Sequence, residues 1–331
     1  MCADKKASYA EGIWQGQLKP AVRSSPGHPL SINEMKDAMV RLYDESNRQN
    51  FAVFDEMFAP DFVSYGGAGF QDLNGAEAFR QLYIQFTGSM PNLTFRVDNL
   101  IAEGNLCGVY GTLSGTHKGN FMGFAPPTGK RITWTGTAIF RFNNQGLMDA
   151  RWQEWDGLSV MQQMGVVPTP PGSNGKLPDP VPPHVTGGRY TSPAENKAIF
   201  QRFIEEVWNQ GKLEVADEIF HPQATSPSAP QLPTGGEGVK VIASMFRNAM
   251  PDYHIEIIDL LADGNQVLAR FKQSGTQTGE LMGIPPTGKK VSWGEIGILR
   301  FAGGQVVESW YNVDLLGLMQ QLGVGGSSAG A

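Results

Sequence analysis

The sequence predicts two copies of one α+β domain, each with three helices packed on a curved antiparallel sheet that forms a cone-shaped barrel. Three observations predict this fold class: a long internal repeat, a helical hydrophobic period that changes to strand alternation within each copy, and short turns between consecutive strands. The chain has 331 residues, of which 40% are hydrophobic and 18% are charged. It is therefore long and apolar enough to bury the cores of two globular domains.

The internal repeat is clearest in a turn-rich segment of each copy. Residues 119–134, with Ala125 skipped, match residues 279–293 at nine of 15 positions. Residues 156–166 match residues 314–324 at seven of 11 positions. The offset between the copies is 158 to 160 residues, whereas solenoid repeats have periods of roughly 20 to 50 residues. We therefore predict a tandem duplication of a whole domain whose two copies pair as a pseudo-dimer.

The predicted boundaries follow from composition. Residues 166–193 contain eight prolines in 28 positions, which excludes a helix interior or a central strand and is typical of an extended linker. The expected organisation is an N-terminal arm (residues 1–29), a first domain (30–167), a Pro/Gly-rich linker (168–190), a second domain (191–324) and a flexible tail (325–331).

Each copy is predicted to begin with helices. Ser192 and Glu195 have the spacing of a capping box around Pro193, and Ser31 with Glu34 repeats that spacing in the first copy. A short second helix and a longer third helix follow, the third over about 74–89 and 236–249.

Four strand-like runs with alternating hydrophobicity follow the helices in each copy. Tight turns such as Asp263-Gly264-Asn265 separate them, which favours an antiparallel sheet. A short helix is predicted to end each copy, over 157–164 and 315–322. The predicted strands are 93–102, 106–116, 131–142 and 147–155 in the first copy, and 253–262, 266–278, 290–301 and 305–313 in the second.

Charge and composition exclude several classes of protein. The formal net charge is −6 and the sequence has no run of basic residues, so we expect neither a nucleic acid nor a membrane surface as partner. The two cysteines, Cys2 and Cys107, cannot form a disulfide framework. The five histidines lack the spacing of metal ligands. We expect a cytoplasmic protein without a metal site.

The repeated motif resembles that of the SnoaL-like polyketide cyclase family. In the first copy it consists of Gly115-Thr116-His117-Lys118-Gly119-Asn120-Phe121-Met122-Gly123, then Pro126 to Lys130, then Trp152 with Asp156, and finally Leu158 to Gly165. The second copy repeats it from Gly275-Thr276 to Gly323. The resemblance covers most of both copies.

The resemblance implies the cone-shaped α+β fold of the nuclear-transport-factor-2-like superfamily. It also implies ring closure by intramolecular aldol condensation, without metal or cofactor, on a polyketide-like carbonyl compound. The family's acid/base aspartate falls on Asp156 and Asp314. A histidine that assists it in some members has no counterpart in residues 131–156 or 290–314.

Strand alternation independently groups the candidate site residues. Trp152, Glu154 and Asp156 share one face of the last strand in the first copy. If that face lines the cone, an indole could both desolvate a carboxylate and stack on a flat substrate. The equivalent face of the second copy carries Trp310, Asn312 and Asp314. Further candidates for substrate binding are Trp134, Trp293, Glu295, Tyr65 and His221.

Asp156 and Asp314 have a second interpretation. Each immediately precedes a short helix, where aspartate is favoured as an N-cap. A cap accepts backbone N–H bonds, which lower the pKa of its carboxyl and make it a poor base. The sequence leaves both interpretations open.

The predicted function is that of a cofactor-independent cyclase or isomerase acting on a small hydrophobic or aromatic carbonyl compound. One alternative is a hydrolase of an epoxide or lactone, in which a carboxylate activates water. The other is a non-catalytic module that binds a hydrophobic ligand or assembles with partners. Pairing of the two domains within the chain is expected, and association into a homo-oligomer stays open.

Overall fold

Two α+β domains with the same order of elements make up the structure, a computed structural model that describes residues 28–66, 71–123, 125–168, 185 and 187–324. Most of the predicted arm and linker, and the whole predicted tail, lie outside these residues. The elements of domain 1 are α1 Ile32–Asn47, α2 Val53–Met57, β1 Phe58–Tyr65, β2 Leu73–Asn74, α3 Ala76–Ser89, β3 Thr94–Glu103, β4 Leu106–Thr116, β5 Arg131–Phe142, β6 Met148–Trp155 and α4 Gly157–Met164. Domain 2 has α5 Pro193–Arg202, a π-helical turn Phe203–Asn209, α6 Val215–Ile219, β7 Phe220–Thr225, α7 Gly236–Ala249, β8 His254–Asp263, β9 Gln266–Thr276, β10 Lys290–Ala302, β11 Gln305–Val313 and α8 Leu315–Leu322.

The two sheets have the strand orders β2-β1-β6-β5-β4-β3 and β7-β11-β10-β9-β8. The four predicted strands of each copy are present and antiparallel. The structure adds strands that the sequence did not predict. In each domain one strand, β1 or β7, pairs in parallel with β6 or β11, and in domain 1 the short β2 also pairs antiparallel with β1. Each added parallel strand directly follows a helix and contains a proline, Pro60 or Pro222, which cannot donate to a ladder and weakens the strand pattern.

The first helices begin as the sequence predicts. Ser31 and Ser192 are N-caps, and each forms a reciprocal capping box with the glutamate three residues later. Asn47 and Asn209 are equivalent, since each bonds the backbone of the first long strand of its own domain, at Phe95 and at Ile255. Domain 2 has one residue more between cap and asparagine, and its π-helical turn accommodates that insertion.

The domains pair through the outer faces of their sheets. A cluster of Ile101, Ile139, Leu261, Leu268, Ile296 and Ile298 lies between them. Reciprocal ion pairs flank this cluster: Lys36 to Asp263 and Lys197 to Glu103, each with N···O of 2.5 Å. Equivalent residues therefore make equivalent contacts, as in an isologous dimer interface. The duplicated chain forms the predicted pseudo-dimer.

Candidate functional site

Domain 1 encloses a cavity of about 230 Å³ between α1, α3 and the inner face of its sheet. Its wall is mainly apolar and aromatic, with a few polar groups, which is the usual composition of a small-molecule site. The aromatic lining residues include Tyr43, Tyr65, Tyr83, Phe86, Phe95, Phe121, Trp134 and Trp155. The polar ones include Ser46, Asn47, Ser64, Arg151, Gln153 and Glu154.

The last strand turns a different face to the cavity from the one expected. Arg151, Gln153 and Trp155 line the cavity, so Trp152 between them points outward. Trp152 packs against the interdomain cluster, as does Trp310 of domain 2. Trp152 and Glu154 share one face of their strand as expected, and Trp310 and Asn312 share the equivalent face, but this face forms the domain interface. Of these four side chains, that of Glu154 also borders the cavity.

Outside the cone, Trp152 is covered by residues of both domains. The ring of Tyr65 stacks on it with a centroid separation of 5.2 Å and an interplanar angle of 2°. The guanidinium of Arg270 lies 4.7 Å from the centroid of the indole ring. Tyr65 also lines the cavity of domain 1, so it lies at the edge between the cavity and the interface.

Glu154 lies where the cavity meets an open groove of about 660 Å³ between the domains, since it lines both. It is 8% exposed, and its Oε2 is buried without a hydrogen-bond partner among the described residues. Burial raises the pKa of the Glu154 carboxyl well above its usual range. The negative charge of Asp314 raises it further, as does that of Glu295 when Glu295 is ionised. Arg270 acts in the opposite direction.

The interface is asymmetric at Glu154. Its equivalent in domain 2 is Asn312, whose Nδ2 donates to Thr135 Oγ1 at 2.9 Å and whose Oδ1 accepts from Thr137 Oγ1 at 2.7 Å. Glu154 instead faces Gly294, which occupies the position of Thr135 and offers no side chain. The amide of Asn312 is thus fully used in holding the domains together, whereas the carboxyl of Glu154 is not.

Asp156 and Asp314 are both helix N-caps. The carboxylate of Asp156 accepts from the N–H of Ser159 at 3.0 Å, and that of Asp314 accepts from the N–H of Gly317 at 2.7 Å. Burial nevertheless raises the pKa of Asp156, although the bonds from Ser159 lower it. Asp314 lines the interdomain groove, and Asp156 is not among the residues that line the cavity. Their role as acid/base residues stays a prediction.

Domain 2 carries larger side chains at positions where domain 1 has its cavity. Trp208, Tyr253, Phe271 and Tyr311 belong to, or pack on, the core cluster of domain 2. The equivalent positions of domain 1 are Ser46, Leu93, Gly111 and Gln153, as strand register and the matching backbone bonds show. Trp293 stacks on Phe246 at 5.7 Å in this packed interior. The cone of domain 2 is therefore filled by its own aromatic side chains.

Glu295 lies inside the packed cone of domain 2, in the place of Gly136. Its carboxylate accepts from Gln273, whose own amide oxygen accepts from the Tyr253 hydroxyl. Burial raises the pKa of Glu295 to about 8, and the hydrogen bond from Gln273 lowers it. At neutral pH this carboxyl is largely protonated, which suits its apolar surroundings.

His221 lies apart from the cavity and the groove, at the start of β7. Its Nδ1 accepts from the backbone N–H of Gln223 at 3.2 Å. Within the described ranges, no group of three or more His, Cys, Asp or Glu side chains is placed to hold a metal ion.

The model of the SnoaL-like polyketide cyclase family matches residues 37–164 and again residues 198–322. The chain belongs to this family. Both copies of this SnoaL-like protein are matched separately, and each match spans the helices and the sheet of one domain.

Among curated relatives, the chain is similar to two aklanonic acid methyl ester cyclases. It is 29% identical over 127 residues to DnrD from Streptomyces peucetius, which covers 37% of this chain and 87% of DnrD. It is 30% identical over 128 residues to DauD from Streptomyces sp. (strain C5), covering 37% of this chain and 78% of DauD. A solved structure of a putative polyketide cyclase from Bacillus cereus ATCC 10987 is 34% identical, with a TM-score of 0.35, and the match covers 40% of this chain and 83% of that one.

The sequence did not predict the polar groups that face into the cavity, above all Arg151 and Gln153. Trp155 was the available clue, because strand alternation places Arg151, Gln153 and Trp155 on the same face of β6.

The described helices include none long and apolar enough to cross a membrane.

Proposed function

We propose that this SnoaL-like protein is a cofactor-independent cyclase or isomerase of a polyketide-like carbonyl compound and that it works in the cavity of domain 1. The observation that carries the proposal is the position of Glu154, a buried carboxyl with an unpartnered oxygen at the wall of an aromatic cavity. A carboxyl in such a site has a raised pKa, which suits it to exchange protons near neutral pH.

Ring closure needs one group that first removes and then returns a proton. The Glu154 carboxylate takes a proton from the carbon next to a ketone, and the resulting enolate carbon attacks a second carbonyl of the same molecule. A carbon–carbon bond forms, the attacked carbonyl oxygen becomes an alkoxide, and Glu154 returns the proton to it. The rings of Trp134 and Trp155 keep the substrate flat and exclude water.

Domain 2 supports the site from outside in this proposal. Gly294 leaves room for the Glu154 side chain. The charge of Asp314 raises the pKa of the Glu154 carboxyl, which makes its carboxylate form a stronger base. The filled cone of domain 2 makes it the structural half of the pair.

The proton-abstraction step can be tested without knowing the natural substrate. We would follow exchange of the α-protons of 2-tetralone, a flat bicyclic ketone, in D2O by NMR, and its binding by tryptophan fluorescence. We expect Glu154→Gln to bind 2-tetralone as the parent chain does and to lose its enzyme-dependent exchange by at least about 100-fold.

Glu295→Gln is the matched control, since it removes a buried carboxyl that lies inside the cone of domain 2 and is largely protonated at neutral pH. It should keep the exchange. Full exchange in Glu154→Gln would remove Glu154 from the proposal. Binding without any exchange in the parent chain would favour the non-catalytic ligand-binding alternative.

A further inference from the structure

Arg151 is a buried cation in the cavity wall of domain 1. Its side chain comes from β6 with the same parity as Gln153 and Trp155, and the residue is 6% exposed. The guanidinium carbon lies 4.7 Å from the ring centroid of Phe79 and 5.7 Å from that of Phe140. The aromatic faces hold the guanidinium without neutralising it.

The hydrogen bonds of Arg151 go to neutral groups. Nη1 donates to Ser64 Oγ at 3.0 Å, and Nη2 donates to the amide oxygen of Gln153. Nε is buried and has no partner in the described part of the chain. The nearby titratable groups are the hydroxyls of Tyr43 and Tyr83, which line the same cavity.

Arg151 differs in this respect from Arg141 on β5 and from Arg300 on β10. Arg141 Nε bonds Asp149 Oδ1 at 2.7 Å, and the buried Arg300 of domain 2 bonds Glu308 Oε2 at 2.7 Å. For Arg151, the described residues include no carboxylate within ion-pairing distance. Glu154, which lines the same cavity, is not among the groups that influence the pKa of Arg151. Residues 67–70, which follow β1, contain no acidic side chain either.

A buried cation without a counterion is costly, because burial removes its hydration without replacing it. Burial accordingly lowers the pKa of Arg151. An anion that enters the cavity would supply the missing charge and would accept from Nε in a site of low dielectric, where the interaction is strong. A neutral ligand of the same shape would leave the charge uncompensated.

We propose that the ligand of domain 1 is a flat aromatic compound with an anionic oxygen group, a carboxylate or an enolate, and that the Arg151 guanidinium binds this group beside the hydroxyls of Tyr43 and Tyr83. This inference rests on the cavity of the proposed function and names the chemical class of its ligand. Arg151 thereby acts as a specificity-determining residue.

The test compares anionic probes with neutral counterparts on the full chain at pH 7 by titration calorimetry. The carboxylate pair is 2-naphthoate and methyl 2-naphthoate. The enolate pair is the anion of 2-hydroxy-1,4-naphthoquinone and neutral 2-methoxy-1,4-naphthoquinone. We expect at least one anion to bind about 10-fold or more tightly than its neutral counterpart, and the pair that shows this preference identifies the anionic group.

Arg151→Met should remove this preference and leave binding of the neutral probes within about twofold. Arg151→Lys keeps the charge and should retain part of the preference. Arg131→Met is the matched control, because Arg131 is exposed on β5 and outside the cavity; it should bind like the parent chain. Folding of Arg151→Met is checked by thermal unfolding, and Arg151→Lys carries the test if the methionine variant does not fold.

Equal binding of both members of each pair to the parent chain would overturn the inference. So would an undiminished preference in Arg151→Met, or failure of all four probes to bind. Neutral probes that bind, together with exchange of 2-tetralone, would leave the proposed function intact while the inference fails. Binding of an anion through Arg151 without any exchange of 2-tetralone would support the inference, while the proposed function fails.

Discussion

Glu154 of domain 1 lies against the backbone of Gly294 in domain 2, so closely that a Cβ at position 294 would overlap its Oε1. One domain thus leaves space for the candidate acid/base group of the other. At the equivalent position of the interface, Thr135 fills this space and bonds Asn312. The two halves of the interface share the pairing of their sheets and differ in this contact.

Gly294→Ala should therefore affect activity more than stability. The added methyl meets the far end of a flexible side chain, so the Glu154 carboxyl can move away at little cost in folding free energy. We expect the melting temperature to stay within about 3 °C and the exchange of 2-tetralone to fall at least about tenfold. Gly88→Ala is the control, since a Cβ there meets nothing within 4 Å and Gly88 is not among the residues that line the cavity. A Gly294→Ala variant with full exchange would contradict the importance of this contact.

Filling the cone of domain 1 should remove ligand binding. Ser46→Trp places in domain 1 the residue that domain 2 has at Trp208, next to the equivalent asparagine. We expect a folded chain that no longer binds 2-tetralone in fluorescence titrations. Trp208→Ser is the reciprocal control in domain 2, and it should cost about 3 kcal/mol or more of stability because it opens a cavity in a packed core. Binding to Ser46→Trp at the parent's affinity would place the ligand elsewhere.

Two substitutions at each cap separate the interpretations of Asp156 and Asp314. Asparagine also caps helices, whereas alanine does not, so each Asp→Ala should lose about 1 kcal/mol and each Asp→Asn much less. We expect both Asp→Asn variants, and their double variant, to keep the exchange of 2-tetralone. Thermal unfolding and the NMR assay check the two effects separately. Lost exchange with retained stability in Asp156→Asn would instead support the acid/base role that the family resemblance implies.

The sequence predicts the fold almost completely, but it predicts the site only in part. The repeat, the capping boxes at Ser31 and Ser192 and the alternating runs locate the helices and the four long strands of each domain. Pro60 and Pro222 conceal the added parallel strands, because a proline weakens any strand pattern. Alternation shows which side chains share a face but not which face is inside; that depends on how the two sheets pair, a long-range contact that no local pattern contains.

The difference between the two cones is also beyond a local reading of the sequence. Gly136 and Glu295 are equivalent positions, and a carboxylate in the middle of a strand suggests a functional group. The structural role of Glu295 is clear only from its surroundings. Gln273 donates a hydrogen bond to Glu295 and accepts one from Tyr253, all within a filled interior. Arg151 is the converse case, because only the packed structure shows that its charge lacks a partner.

Burial of Glu295 predicts a stability that declines from acidic to neutral and alkaline pH. The carboxyl has a pKa of about 8 in the folded chain, against an ordinary value of 4.5, so the folded state holds a proton that the unfolded chain releases. The contribution of this group to stability is complete below about pH 4.5 and is lost as the pH rises to about 8.

The groups that face Glu295 are Gln273, Tyr253, Tyr311 and Glu154. The pKa of Glu154 is also raised, so Glu154 contributes to the pH dependence of stability in the same direction as Glu295. Glu295→Gln removes one of these titrations. We expect its free energy of unfolding in urea to fall less between pH 5 and pH 8.5 than that of the parent chain, by on the order of a few kcal/mol. Parallel curves for the two proteins would show that Glu295 titrates at its ordinary pKa and that water reaches the cone of domain 2.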